Sequence, residues 1–129
     1  MRLSNHFMAF LVAAVVFMLP IKSKAADMVA EGLCSAVVAD DRQRMRTILS
    51  NHNIRLRNVF TNVRCNGYSL LQFAITAEAI DVGEMLIRLL PTSAIEGDKI
   101  NGESVIHWAE KAGYASSPVL AVVRERVSY

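Results

Sequence analysis

The stretch NGYSLLQFA, residues 66–74, returns as NGESVIHWA at residues 101–109, an offset of 35. Asn66, Gly67, Ser69 and Ala74 recur as Asn101, Gly102, Ser104 and Ala109, while Leu70, Leu71 and Phe73 become Val105, Ile106 and Trp108. Asn-Gly is a turn signal because both residues tolerate positive φ. A serine two places later is a natural helix N-cap. Leu70, Phe73, Ala74 and Ala77 then fall at i, i+3, i+4 and i+7, one face of a helix, and Val105, Trp108, Ala109 and Ala112 repeat that spacing. A second apolar stripe follows in each unit. In the first it is Val82, Met85, Leu86, Leu89 and Leu90, stopped by Pro91; in the second it is Val119, Val122, Val123 and Val127, started by Ser117 as cap and Pro118 as first helical residue. Each unit therefore reads as turn, short helix, longer helix. Upstream, Leu33 and Ala36, then Met45, Ile48 and Leu49, suggest a degenerate earlier pair without the Asn-Gly start.

Outward from the repeat, the N-terminus has a different character. One arginine, Arg2, precedes the apolar run FMAFLVAAVVFMLPI at residues 7–21, and Ser23 and Ala25 stand at the spacing an export peptidase reads. This is the anatomy of a secretory signal peptide, residues 1–25, cut after Ala25. The 15-residue run is shorter than the roughly 20 residues that cross a bilayer as a helix, so no stable span is expected after cleavage; retention as an N-terminal anchor is the alternative. A single domain over residues 26–129 remains, with units at about 33–65, 66–100 and 101–129. Removing Arg2, Lys22 and Lys24 from 14 basic residues leaves 11 against 12 acidic ones, a net charge of −1, which gives no global case for nucleic acid.

Cys34 and Cys65 both lie in the mature part. An even cysteine count in an exported chain favours a disulfide. The competing reading is a reactive thiol at Cys65, beside Arg64 and near the helix capped by Ser69. Cys34, His52, Cys65 and His107 are too scattered for a structural metal site, and no phosphate loop or nucleophile elbow is present, so neither metal nor cofactor is expected.

Charge is segregated along the chain. Residues 42–64 hold six arginines and no acid, whereas residues 26–41 hold four acids and no base. In IRLR, residues 54–57, an extended chain places Arg55 and Arg57 on one side and Ile54 and Leu56 on the other; on a helix Arg42 and Arg46 share a face. Arg42, Arg46, Arg55, Arg57 and Arg64 are accordingly the expected contacts for an acidic envelope protein, glycan or lipid head group. The plainer alternative is a solvated face neutralised by Asp40, Asp41 and other acids.

Two resemblances follow from these residues. SVIHWAEKAGY, residues 104–114, resembles the ankyrin pattern T-P-L-H-x-A-A-x-x-G-H, and DVGEMLI, residues 81–87, resembles the acidic-apolar run of the second ankyrin helix. The Thr-Pro pair is missing, and Ala77-Glu78 replaces the expected glycine. This resemblance implies an all-α stack of ankyrin-like helix-turn-helix hairpins behind a signal-peptide helix, in which His107 bonds between neighbouring turns. Second, LCSAVVADDRQRMRTIL, RLRNVF, VRCNGYSLLQFA and VGEMLI together resemble the domain of unknown function 3718, a family of small exported bacterial proteins. That resemblance implies export and no activity. The expected function is a periplasmic interaction or structural module. A small enzyme or thiol-redox protein using Cys65 or His107 is the alternative.

Overall fold

A computed structural model describes residues 24–128, so apart from Lys24 and Ala25 the expected signal peptide lies outside the described residues. The described chain is an all-α stack of three helical hairpins: α1 (Lys24–Val38) with α2 (Arg42–Asn51), α4 (Leu70–Ala77) with α5 (Ile80–Leu89), and α7 (Val105–Lys111) with α8 (Pro118–Val127). Short helices α3 (Leu56–Val59) and α6 (Thr92–Glu96) connect them. The first helices α1, α4 and α7 pack side by side in one layer, and the second helices α2, α5 and α8 form the other. Leu33, Met45, Leu70, Leu71, Ile75, Leu86 and Leu120 lie fully buried between the layers.

The repeated Asn-Gly pairs form the same turn twice. Asn66 and Gly67 have φ of 53° and 84°, Asn101 and Gly102 of 51° and 80°. Two successive positive φ values make a type I′ turn, which matches the twist of paired strands. The flanking residues therefore pair: Cys65 with Tyr68 as a single bridge, and β1 (Lys99–Ile100) with β2 (Glu103–Ser104) as a two-residue ladder. Helical periodicity alone does not predict these small pairings, although Asn-Gly is itself a hairpin signal.

Each turn leads into a capped helix. Ser69 Oγ accepts from the Gln72 backbone N–H at 3.1 Å, and Gln72 Oε1 accepts from the Ser69 N–H at 3.0 Å, a complete capping box. Ser104 Oγ accepts from the His107 N–H at 3.1 Å. Ser117 occupies the N-cap position of α8 but its hydroxyl caps nothing; it is buried without a partner, and Pro118 sets the helix start instead.

Two adjacent acids in the first connection cap two different helices. Asp41 accepts from the Arg44 N–H at 3.0 Å and starts α2. Asp40 reaches across to the next hairpin, where Oδ1 accepts from the Val82 N–H at 2.8 Å and Oδ2 from the Asp81 N–H at 3.3 Å. The N-cap of α5 is Ala79, whose side chain cannot bond, so Asp40 satisfies donors that its own hairpin leaves open. The second layer also has a close crossing: a Cβ on Gly83 would stand 2.8 Å from Val119 Cγ1, so any side chain at residue 83 would have to displace Val119 where α5 meets α8.

Glu78, in the place where the ankyrin pattern has glycine, adopts the left-handed conformation (φ 51°, ψ 41°) as the C-cap of α4. A side chain there costs roughly 1 kcal/mol relative to glycine. Glu78→Gly is therefore expected to stabilise the protein by up to about 1 kcal/mol, offset in part by the greater freedom of the unfolded glycine. Urea unfolding checks this; a stabilisation absent or reversed would show that the Glu78 side chain contributes more than its backbone strain removes.

Candidate functional site

The residues from Arg42 to Arg64 fold into α2, a turn through His52 and Asn53, and α3. Leu49 and Leu56 are buried and Ile54 is half-buried, which anchors this segment and leaves Arg46, Arg55 and Arg57 exposed. The IRLR segment is not extended throughout. Arg55 is extended (φ −91°, ψ 131°) but serves as N-cap of α3, and Arg57 lies inside that helical turn, whose Phe60 N–H closes onto the Leu56 carbonyl at 2.9 Å. The expected division of faces survives because one short turn still buries Leu56 and releases its neighbours.

Two adjoining hollows open here. One, about 720 Å³, is walled by Arg46, Leu49, Ser50, Asn53, Ile54, Arg55, Asn58 and Val59. The other, about 390 Å³, is walled by Leu49, Ile54, Arg55, Leu56, Arg57 and Leu89. They share Leu49, Ile54 and Arg55. Leu89, placed by its spacing on the buried stripe of α5, is 49% exposed at the end of the second hollow. Helix α5 ends there, and Leu90 takes the buried place instead.

Among the described residues none of these arginines lies within 4 Å of a carboxylate; the ion pairs are Glu103 with Lys111 and Glu110 with Arg124, and the His107 imidazole stands 3.9 Å from Glu103. The acids nearest in sequence, Asp40 and Asp41, are instead engaged by backbone N–H groups.

The structure does not gather all five expected arginines. Arg42, at the first position of α2, is exposed but walls neither hollow. Arg64 is carried to another face, where it lines a hollow with Asp27, Glu31 and Phe73. The cause is covalent: Cys34 and Cys65 form a disulfide, with Cα atoms 5.7 Å apart, that ties the residue after Arg64 to α1.

The remaining sequence candidates take structural places. Cys65 is buried in the disulfide and carries no thiol. The His107 side chain is 65% exposed, with Nδ1 3.9 Å from Glu103 Oε2, and it does not bond a neighbouring turn. The residue that does so is its counterpart one unit earlier. Gln72 Nε2 donates to Asp98 Oδ1 at 2.9 Å and to the Lys99 carbonyl at 3.4 Å, while the Ser69 hydroxyl donates to Asp98 Oδ2 at 2.7 Å. Gln72 has the Asn101-Gly102 hairpin of the following unit to bond; among the described residues no third Asn-Gly turn follows His107. Burial pushes the Asp98 carboxyl up to about 6, against the Ser69 hydrogen bond and the Arg64 charge, which lower it. The Lys111 hydrogen bond holds the Glu103 carboxyl below its ordinary range. Among the described residues no group of three or more His, Cys, Asp or Glu side chains is placed to hold a metal, and no described helix is long and apolar enough to cross a membrane.

Searches of curated proteins and of solved structures return no match. A family model described as "Protein of unknown function (DUF3718)" matches residues 33–97, which take in the disulfide, the arginine segment and the central hairpin and stop one residue short of Asp98. On that match the chain belongs to the DUF3718 family.

Proposed function

We propose that this is an exported, periplasmic interaction module of a bacterial envelope, a single ankyrin-like domain from Ala26 onward that binds an anionic group through Arg46, Arg55 and Arg57. The observation carrying this reading is that three exposed arginines line two adjoining hollows and none has a carboxylate within 4 Å among the described residues. Arginine's planar fork suits carboxylate and phosphate oxygens. Export is supported by the apolar N-terminal run before Ala25 and by the disulfide, which persists in oxidising compartments. The ankyrin-like reading is supported by the two layers of first and second helices and by the twice-repeated turn.

Heparin serves as a generic anionic probe. Arg55→Ser/Arg57→Ser is expected to weaken its binding by about tenfold or more at low salt and by much less at high salt, with thermal stability nearly unchanged because exposed charges contribute little to folding. Equal binding by the variant and the parent at low salt contradicts the proposal.

A further inference from the structure

The two hollows differ in what they offer. The second has an aliphatic floor of Leu49, Ile54 and Leu56, with Leu89 open to solvent at its end. The first sets Ser50, Asn53 and Asn58 beside Arg46 and Arg55. Carboxamides both donate and accept, whereas arginine only donates. A simple anion such as phosphate uses donors alone and has no use for an aliphatic floor. A sugar ring has no aromatic platform in either hollow. A bound peptide needs this mixture: its N–H and C=O groups must both be satisfied, its acidic side chains want guanidinium forks, and its apolar side chains want a floor.

We infer that the adjoining hollows take an extended, acidic peptide segment of a partner protein, with carboxylates at Arg46, Arg55 and Arg57 and at least one aliphatic side chain against Leu89. Charge complementarity selects the occupant. The hollows lie side by side, with Leu49, Ile54 and Arg55 lining both, so a linear ligand can reach into each across Arg55, which a single head group would not need. This inference rests on the anion-binding reading above and adds the nature of the ligand.

The test is selection of short linear peptides from a random displayed library on the folded, disulfide-bonded protein, followed by titration of the enriched peptide. The expected result is enrichment of Asp or Glu interleaved with Leu, Ile or Val. Leu89→Ser is expected to weaken that peptide by about tenfold while leaving heparin binding unchanged, because the lost contact is apolar. Arg55→Ser is expected to weaken both. Enriched peptides without acids, peptide binding indifferent to Leu89→Ser, or binding of phosphatidylglycerol vesicles with no peptide enrichment would overturn the inference. In each of these cases Arg55-dependent heparin binding would leave the anion-binding reading standing; loss of Arg55 dependence for heparin would remove both.

Discussion

Reducing the Cys34–Cys65 bridge, or replacing both cysteines with alanine, is expected to destabilise the protein by about 3 to 4 kcal/mol. The cysteines are 31 positions apart, so the closed ring holds 32 residues, and the chain-entropy treatment gives about 3.7 kcal/mol for a ring of that size. For a domain of this length that corresponds to a fall in Tm of roughly 15–25 °C. The bridge joins α1 to the start of the first Asn-Gly turn, so its loss removes the cross-link between the first hairpin and the second. Cys65 is itself a core residue, and the alanine variant also loses some packing there. Thermal unfolding with and without reductant measures the effect. A shift of only a few degrees would mean that hairpin packing and the Asp40 caps already fix α1 without the bridge.

The second large effect is on pH dependence. Asp98 is buried between the second and third hairpins, and its folded-state carboxyl titrates near 6, above the ordinary value of 3.8. The folded state therefore holds this proton more tightly than the unfolded state. Its contribution to stability is fully present below about pH 3.8 and is lost as pH rises through about 6. The difference of roughly two pKa units corresponds to about 3 kcal/mol. Asp98→Asn keeps an acceptor for the Gln72 amide and cannot titrate. Across that range the stability of the parent should fall by about 3 kcal/mol relative to the variant, as measured by urea unfolding at a series of pH values. Parallel profiles for the two proteins would show that Asp98 is solvated well enough to titrate normally.

What was legible in the sequence was what is encoded locally. The turn at Asn66-Gly67, the cap at Ser69 and the apolar period from Leu70 lie within a few residues of one another, and their recurrence 35 residues later identified the hairpin stack. The disulfide was legible because two cysteines allow one intramolecular pairing. Contacts between residues far apart in the chain were not legible. Asp40 reads as one of two loop acids, and only the stacking of hairpins shows it capping α5, about 40 positions onward. Gln72 reads as a polar residue on a short helix, yet it is buried because Asp98 meets it from the next unit. The inter-turn role assigned to His107 falls to Gln72 for the same reason. In the arginine segment the residue type was visible but the grouping was not: the disulfide draws Arg64 away, and the exposed end of α5 brings in Leu89, which periodicity had placed in the core.

Arg46, Arg55 and Arg57 are proposed to form one anion-binding surface. Its most direct test is to follow arginine side-chain Nε–H signals by NMR while inorganic pyrophosphate is added at low salt. The three signals are expected to move together and saturate at a common concentration, while Arg124, paired with Glu110 at 3.6 Å, stays in place. Small, non-saturating shifts spread over all the arginines would contradict it.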